Sequence, residues 1–282
     1  KHLMNLYTEH NCLIEINNLY VQYGDKVILR DVGNETVPFR INDIKREGLL
    51  QGQTVAVLGR SGRGKSTLFR NIVGIEKPTK GRIIVPKSFD GSEYKNIAEG
   101  DVGFVQQTFP LSRNQSVYQM LKDAVAMGDH KGDGEQLITQ YLNEWGLTAQ
   151  RNHHPNQLSG GQRQRVAIIE QLLCSHYFIV LDEPFSGLDV KNIEEVKDAI
   201  HKLTTTSEIN TVIFSTHNID LAVSIADSIY LIGYEKDAHG NFIEGGTLLE
   251  HYDMKKLGLA WYPYSKEHIA ISEKLKKKMI EC

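Results

Sequence analysis

One stretch, Gly59 to Thr67, constrains the fold of this chain more than any other feature of its sequence. It reads GRSGRGKST and matches the pattern G-x-x-x-x-G-K-[ST]. Glycines at these positions let the backbone curl, so that consecutive N–H groups point inward at phosphate oxygens. The pattern is meaningful between a buried strand and a helix. An apolar run, Thr54 to Leu58, precedes it, and helical spacing of apolar residues continues from Lys65 to Val73. The sequence therefore predicts a phosphate-binding turn in an α/β fold.

The residue types within this turn predict how a nucleotide is held. Lys65 would bring a point charge to the β- and γ-phosphates, and the Ser66 hydroxyl would be a ligand to Mg²⁺. We expect Arg60 and Arg63 to face solvent or the outer edge of the nucleotide. The turn by itself predicts a P-loop NTPase, which leaves GTPases, nucleotide kinases, motors and transport ATPases open. The residues expected to bind the nucleotide here are Gly59, Ser61, Gly62, Gly64, Lys65, Ser66 and Thr67.

A second apolar run, Tyr177 to Leu181, ends in the adjacent carboxylates Asp182 and Glu183. Ligands of open α/β sheets bind at the carboxyl ends of the strands. Because adjacent residues at a strand end point in different directions, we expect Asp182 to serve the metal and Glu183 to polarise an attacking water. An exposed acidic loop after a strand is the alternative.

Residues 158–162, Leu-Ser-Gly-Gly-Gln, resemble the signature motif of ATP-binding cassette (ABC) proteins. Taken alone, this segment could be a loop that leads into a helix, with Ser159 near its cap. It lies between the phosphate-binding turn and the acidic strand, which is the order found in that family, and the resemblance extends over about residues 12 to 235. The other landmarks also follow in order: Tyr23 for the aromatic that stacks on adenine, Gln107 for the Q-loop, Ser186 to Asp189 for the D-loop and His217 for the switch histidine.

The resemblance implies a mostly parallel sheet with helices, an antiparallel β subdomain and an inserted helical lobe. We expect an ATP-binding core over residues 12–106 and 166–250, a helical subdomain with the signature over 107–165, and an extension over 251–282. The polar stretch from Gly33 to Gly52 predicts a hairpin or an inserted loop. The basic run from Lys274 to Lys278 is typical of a solvated helix face.

The resemblance also implies that two copies pair head to tail, with each ATP between the phosphate loop of one copy and the signature of the other. In that arrangement Gln107 links the nucleotide to the helical lobe, and Asp189 communicates across the interface. The implied roles are catalytic for Glu183, His217 and Gln107, magnesium-binding for Ser66, Gln107 and Asp182, and nucleotide-binding for Tyr23, Ser159, Gly160, Gly161, Gln162 and Asp189.

The composition limits the classes of partner that this chain could have. The 282 residues carry a formal charge of −3, so no strongly basic field indicates nucleic acid. No run approaches the ~18 apolar residues of a membrane-spanning helix. Three distant cysteines, Cys12, Cys174 and Cys282, favour a reducing compartment. We therefore expect a cytoplasmic ATPase subunit on the inner face of the membrane that works with a second ATPase subunit, permease subunits and, in an importer of a small solute, a solute-binding protein. A soluble cassette ATPase acting on DNA or ribosomes is the alternative.

Overall fold

The computed structural model describes residues 7–46, 49–87, 92–108, 111–128, 132–174, 178–206, 211–260 and 264–282. Tyr177, the first residue of the predicted acidic strand, lies outside these ranges. The described residues form two six-stranded sheets and seven α-helices, which confirms the predicted mixed α/β class. None of these helices combines the length and the apolar character that a membrane span requires.

The first layer is the predicted, mostly parallel sheet. In spatial order its strands are β12 (Thr247–Asp253), β11 (Ser228–Gly233), β5 (Gln53–Leu58), β10 (Thr211–Thr216), β9 (Phe178–Leu181) and β8 (Gly103–Val105). All neighbours pair in parallel except β12, which is antiparallel to β11. Strands β5, β9, β10 and β11 are buried at every residue, because layers cover both faces of the sheet.

The second layer is an antiparallel sheet. It has the order β4 (Leu49–Gln51), β3 (Phe39–Arg46), β1 (Tyr7–Tyr23), β6 (Lys80–Pro86) and β7 (Tyr94–Asn96), and β2 (Lys26–Val32) also pairs with β1. The predicted hairpin between residues 33 and 52 is confirmed as the antiparallel pair β3 and β4.

The helices cover the parallel sheet and build the lobe. They are α1 (Lys65–Ile72), α2 (Val117–Met127), α3 (Gly134–Glu144), α4 (Gly160–Cys174), α5 (Val190–Thr206), α6 (Ile219–Ile225) and α7 (Lys266–Glu281). Helices α2 and α3 pack with α4 in one hydrophobic core. Because α4 runs continuously across positions 165 and 166, one helix joins the predicted lobe to the predicted core.

Strand β5 places the phosphate-binding turn between the two hydrophobic cores. Ala56 and Leu58 face the core of the helical lobe, whereas Val55 and Val57 face the core that contains α1 and the antiparallel sheet. Alternate residues of a strand point to opposite faces, so the run Val55–Leu58 serves both cores. The turn that follows Leu58 therefore emerges from a strand that is fixed from both sides.

The basic run lies in α7, and two of its lysines form ion pairs. Lys276 forms an ion pair with Asp220 of α6 at 2.9 Å, and Lys278 pairs with Glu250 of β12 at 3.2 Å. The sequence patterns did not identify β7, β11 or β12. Strand β11 carries apolar residues in succession, but no recognisable motif accompanies it.

Candidate nucleotide site

The phosphate loop, residues 59–64, has the curled backbone that its glycines predict. Gly62 and Gly64 have φ angles of +78° and +91°, a region in which glycine is favoured. A Cβ atom at Gly64 would lie 2.6 Å from the side chain of Leu29. Helix α1 begins at Lys65, and the amide of Leu68 donates to the Gly64 carbonyl at 2.8 Å. The loop is therefore the strand–turn–helix unit that was predicted.

Lys65 lies across the curl of the loop. Its Nζ donates to the carbonyl oxygens of Gly59 at 2.7 Å and Arg60 at 3.2 Å. The same ammonium is 3.2 Å from Oε1 of Glu183. Its side chain is only 7% exposed. A buried ammonium with three oxygen neighbours is held in a defined place, beside the turn where phosphates are expected.

The two carboxylates at the end of β9 share one organising hydroxyl, that of Ser215. Its Oγ donates to Oδ1 of Asp182 at 2.6 Å and accepts the Glu183 amide at 2.8 Å. Glu183 has a φ of +47°, which is uncommon for a residue with a side chain. Ser215 thus holds both acidic residues at the turn. The sequence analysis missed it, although a serine ending the apolar run of β10 was a signal.

His217 and Gln107 complete the polar cluster. The Nδ1 atom of His217 lies 3.1 Å from Oε2 of Glu183, so Glu183 contacts Lys65 with one oxygen and His217 with the other. Nε2 of Gln107 donates to Oγ of Ser186 at 3.3 Å. The switch histidine and the acidic strand end, 34 positions apart in sequence, are therefore neighbours.

A cavity of about 610 Å³ opens over this cluster, a volume typical of small-molecule sites. It gathers most of the predicted cradle and catalytic residues: Ser61, Gly62, Gly64, Lys65, Ser66, Thr67, Gln107, Glu183 and His217. Arg60, which was expected at the outer edge of the nucleotide, also lines it. Three further lining residues were not predicted to be there: Ile28, Ser186 and Met279.

Three residues predicted to hold the nucleotide or the metal do not line this cavity. Gly59 contributes its carbonyl to Lys65, and Asp182 is buried beside Ser215. Tyr23 is 47% exposed, and its hydroxyl donates to Glu76 at 2.5 Å. Adenine stacking by Tyr23 stays a prediction.

The residues predicted to contact the ATP of the other copy, in the signature and the D-loop, form a second cluster. This cluster does not line the cavity. Ser159 caps helix α4: its Oγ accepts the Gln162 amide at 3.2 Å, and its own amide donates to Oε1 of Gln162 at 2.9 Å. The Asn192 side chain lies 2.4 Å from where a Cβ of Gly161 would be. The amide of Asn192 donates to Asp189 at 2.9 Å, which connects the signature to the D-loop. Gly160 begins α4 with open space at its Cβ position.

Arg63, which was expected to face solvent or the outer edge of the nucleotide, is half-buried and does not line the cavity. It packs over the Tyr234 ring at 4.1 Å from the centroid, on the outer side of the loop. Cation–π attraction favours this position. Arg60, in contrast, is exposed and lines the cavity.

The residues predicted to bind Mg²⁺ present the right kind of donor. Ser66, Gln107 and Asp182 offer hydroxyl, amide and carboxylate oxygens, which hard divalent cations prefer. Ser66 and Gln107 line the same cavity. Asp182 does not line it, but it directly precedes Glu183, which does. The donor set therefore fits Mg²⁺.

Comparison with known proteins decides the family. The model of the ABC transporter family matches residues 46–186. This chain belongs to the ABC transporter family. It is 33% identical over 241 residues to the sulfate/thiosulfate import ATP-binding protein CysA of Synechocystis sp., covering 85% of this chain and 62% of that protein. The ABC protein described here thus spans less than two thirds of that relative's length.

Two further proteins share more of their length with this ABC protein. The ABC transporter ATP-binding protein YtrE of Bacillus subtilis is 33% identical over 206 residues, which cover 71% of this chain and 85% of YtrE. The dimeric post-hydrolysis structure of the ATP-binding cassette MJ0796 bound to ADP and Pi has a TM-score of 0.63 at 25% identity. That match covers 86% of this chain and 99% of MJ0796. The predicted family and fold are confirmed.

Proposed function

We propose that this ABC protein binds and hydrolyses ATP as the ATPase subunit of a transporter. One observation carries the proposal: Glu183 is held between Lys65 at 3.2 Å and His217 at 3.1 Å, at the mouth of the phosphate loop. A carboxylate in that place can accept a proton from a water that attacks the γ-phosphate. His217 then holds the same carboxylate in position while it contacts the terminal phosphate.

Magnesium belongs to this proposal. Ser66, Gln107 and Asp182 would hold it, and it would neutralise charge on the phosphates. The phosphate loop residues bind the phosphates through their amides, and Lys65 exchanges its carbonyl partners for phosphate oxygens. Tyr23 stacks on the base.

We further propose that two copies close around two ATP molecules. Support comes from the signature, where Ser159 is exposed and caps α4. Amides at a helix start attract anions, and the signature does not line the cavity of its own chain. Ser159, Gly160, Gly161 and Gln162 would bind the ATP of the second subunit, with Asp189 at the same interface.

The partners and location follow from the relatives' names as proposals. CysA is an import protein for sulfate or thiosulfate, and YtrE is an ABC transporter ATP-binding protein. We therefore favour import of a small solute, with permease subunits and a solute-binding protein as partners and the inner face of the membrane as location. The division into a core (12–106, 166–250), a helical subdomain (107–165) and an extension (251–282) is proposed with it.

The test is a charge deletion with a matched control. Lys65→Ala should abolish turnover and weaken binding of a fluorescent ATP analogue, because the loop loses its inserted charge. Lys197→Ala removes a lysine on α5 that pairs with Glu194, and it should behave as wild type. Wild-type turnover in Lys65→Ala, or a wild-type protein that does not bind ATP with Mg²⁺, would contradict the proposal.

A further inference from the structure

The Arg63 guanidinium occupies an aromatic pocket on the outer side of the phosphate loop. Its Cζ lies 4.1 Å from the ring centroid of Tyr234 and 5.9 Å from that of Phe242. One terminal nitrogen donates to the carbonyl oxygen of Cys282 at 3.4 Å, and Nε is buried with no hydrogen-bond partner among the described residues. Burial of an unpaired N–H is unfavourable. The contact with the rings must therefore compensate, which makes this pocket the preferred place for the side chain.

The segment that carries the two rings, residues 234–246 between β11 and β12, also touches the loop backbone. A Cβ at Gly246 would lie 2.2 Å from the carbonyl oxygen of Arg63. The Gly246 amide donates to the Ile28 carbonyl at 2.9 Å, and the Arg30 amide donates to the Gly246 carbonyl at 2.9 Å. Backbone atoms at such distances leave little room to move. The segment therefore fixes both the side chain and the peptide of Arg63.

Helix α7 closes the other side of this pocket. Cys282, which follows α7, packs against Gly233, where an added Cβ would lie 2.7 Å from its Sγ. Met279 of α7 lines the nucleotide cavity. Lys276 of the same helix pairs with Asp220, three positions after the switch histidine. Helix α7 thus contacts the surroundings of both the phosphate loop and His217.

We propose that Arg63 is a positioning residue that fastens the phosphate loop to α7, so that the docking of α7 sets the affinity for ATP. The identity of the ligand rests on the proposed function. The loop amides bind phosphate only in the curled conformation. A loop without its anchor samples other conformations, and the apparent affinity falls with the fraction that remains competent. Because the Arg63 side chain does not line the nucleotide cavity, its loss should act on the affinity for ATP rather than on turnover at saturating ATP.

The first experiment separates fastening from direct contact with the nucleotide. Arg63→Met and Tyr234→Leu in the full chain should each raise the Kd for a fluorescent ATP analogue about three- to tenfold. The kcat of Tyr234→Leu, whose side chain lies outside the phosphate loop, should stay within about twofold. Tyr234→Phe keeps the ring and should keep the wild-type Kd. The Kd of the double variant should not exceed the higher of the two single-variant Kd values, because both changes break the same contact. If Tyr234→Leu binds like wild type while Arg63→Met does not, Arg63 contacts the nucleotide itself and the proposal is overturned.

The second experiment moves α7 without touching the loop. Gly233→Ala places a methyl group 2.7 Å from the Cys282 sulfur and 2.8 Å from Cδ1 of Leu249, so it should displace that end of α7 and raise the Kd. Adding Leu249→Ala and Cys282→Gly to the same chain removes both close contacts and should restore the affinity. Wild-type affinity in Gly233→Ala, or no recovery in the triple variant, would overturn the link from α7 to the loop.

The third measurement needs no nucleotide, so it distinguishes failure of this inference from failure of the proposed function. Hydrogen exchange of the amides of residues 59–64 should be faster in Arg63→Met, Tyr234→Leu and Gly233→Ala than in wild type. Lys197→Met on α5 should leave it unchanged. Unaltered exchange in all three variants would overturn the fastening even if ATP binds. If exchange is faster in these variants but the wild-type protein does not bind ATP, the role of Arg63 in holding the loop is supported and only the proposed ligand is wrong.

Discussion

The phosphate-loop cluster and the signature cluster are both proposed to bind an anion at a helix start, but they are built in opposite ways. Lys65 and Asp182 are buried, and their partners lie in the loop after β5, in the turn after β9 and in β10. Ser159 and Asp189 are exposed, and the described hydrogen bonds of their side chains are to residues three positions away. The first cluster is preorganised by its own chain. The second presents donors outward, which is what a surface needs if its ligand arrives on another molecule.

The largest expected effect lies in the preorganised cluster. Glu183→Gln keeps the shape of the side chain and removes the proton acceptor, so turnover should fall about 10²–10⁴-fold. ATP should still bind, because Lys65 and the loop amides are unchanged. Steady-state ATPase assays beside nucleotide titration check both expectations. A variant that hydrolyses ATP at the wild-type rate would remove Glu183 from the mechanism.

The next effect separates the two clusters. Size-exclusion chromatography of the Glu183→Gln protein should show a dimer with ATP and a monomer with ADP. Adding Ser159→Arg should abolish the dimer, because a bulky charged side chain then occupies the place where the signature would meet the ATP of the other copy. ATP binding by the monomer should persist. Gln140→Arg, which adds the same charge on α3, should leave the dimer intact. A dimer that survives Ser159→Arg would mean that the signature is not at the interface.

A smaller effect tests how the acidic turn is held. Ser215→Ala removes the hydroxyl that joins Asp182 to the Glu183 amide and should lower kcat about tenfold, the cost of an unmade buried hydrogen bond. ATP affinity should change little. Thr204→Ala deletes another buried hydroxyl, on α5, and should leave kcat unchanged. Equal losses of activity in both variants would point to general destabilisation instead.

The smallest effect concerns the base. Tyr23→Ala should weaken ATP binding about two- to tenfold, the range expected for one aromatic stacking contact, whereas Tyr23→Trp should retain it. ATP and GTP should lose affinity alike, since stacking contributes few base-specific hydrogen bonds. The competing tyrosine is Tyr20, which lies three positions earlier in β1. A larger loss in Tyr20→Ala, measured by the same titration, would move the stacking position to Tyr20.

The sequence by itself determined what is local in the chain. The phosphate loop is a continuous stretch between the strand Gln53–Leu58 and helix α1, and its glycines specify the curl directly. The cap of α4 is equally local, since Ser159 and Gln162 are three positions apart and bond to each other. Such features depend on residues that are close in sequence, so motifs and hydrophobic periodicity predict them.

Only the tertiary structure decided which distant residues meet. Strand β10 lies beside β9 with Phe214 opposite Leu181, and this register brings Ser215 to Asp182 across 33 positions of sequence. Arg63 reaches Tyr234 because β11 is the neighbour of β5. The order and register of strands depend on how the two cores pack, and apolar runs of similar composition do not distinguish their partners. The sequence therefore predicted the chemical groups of the site, but it did not predict the side chains that hold those groups in place.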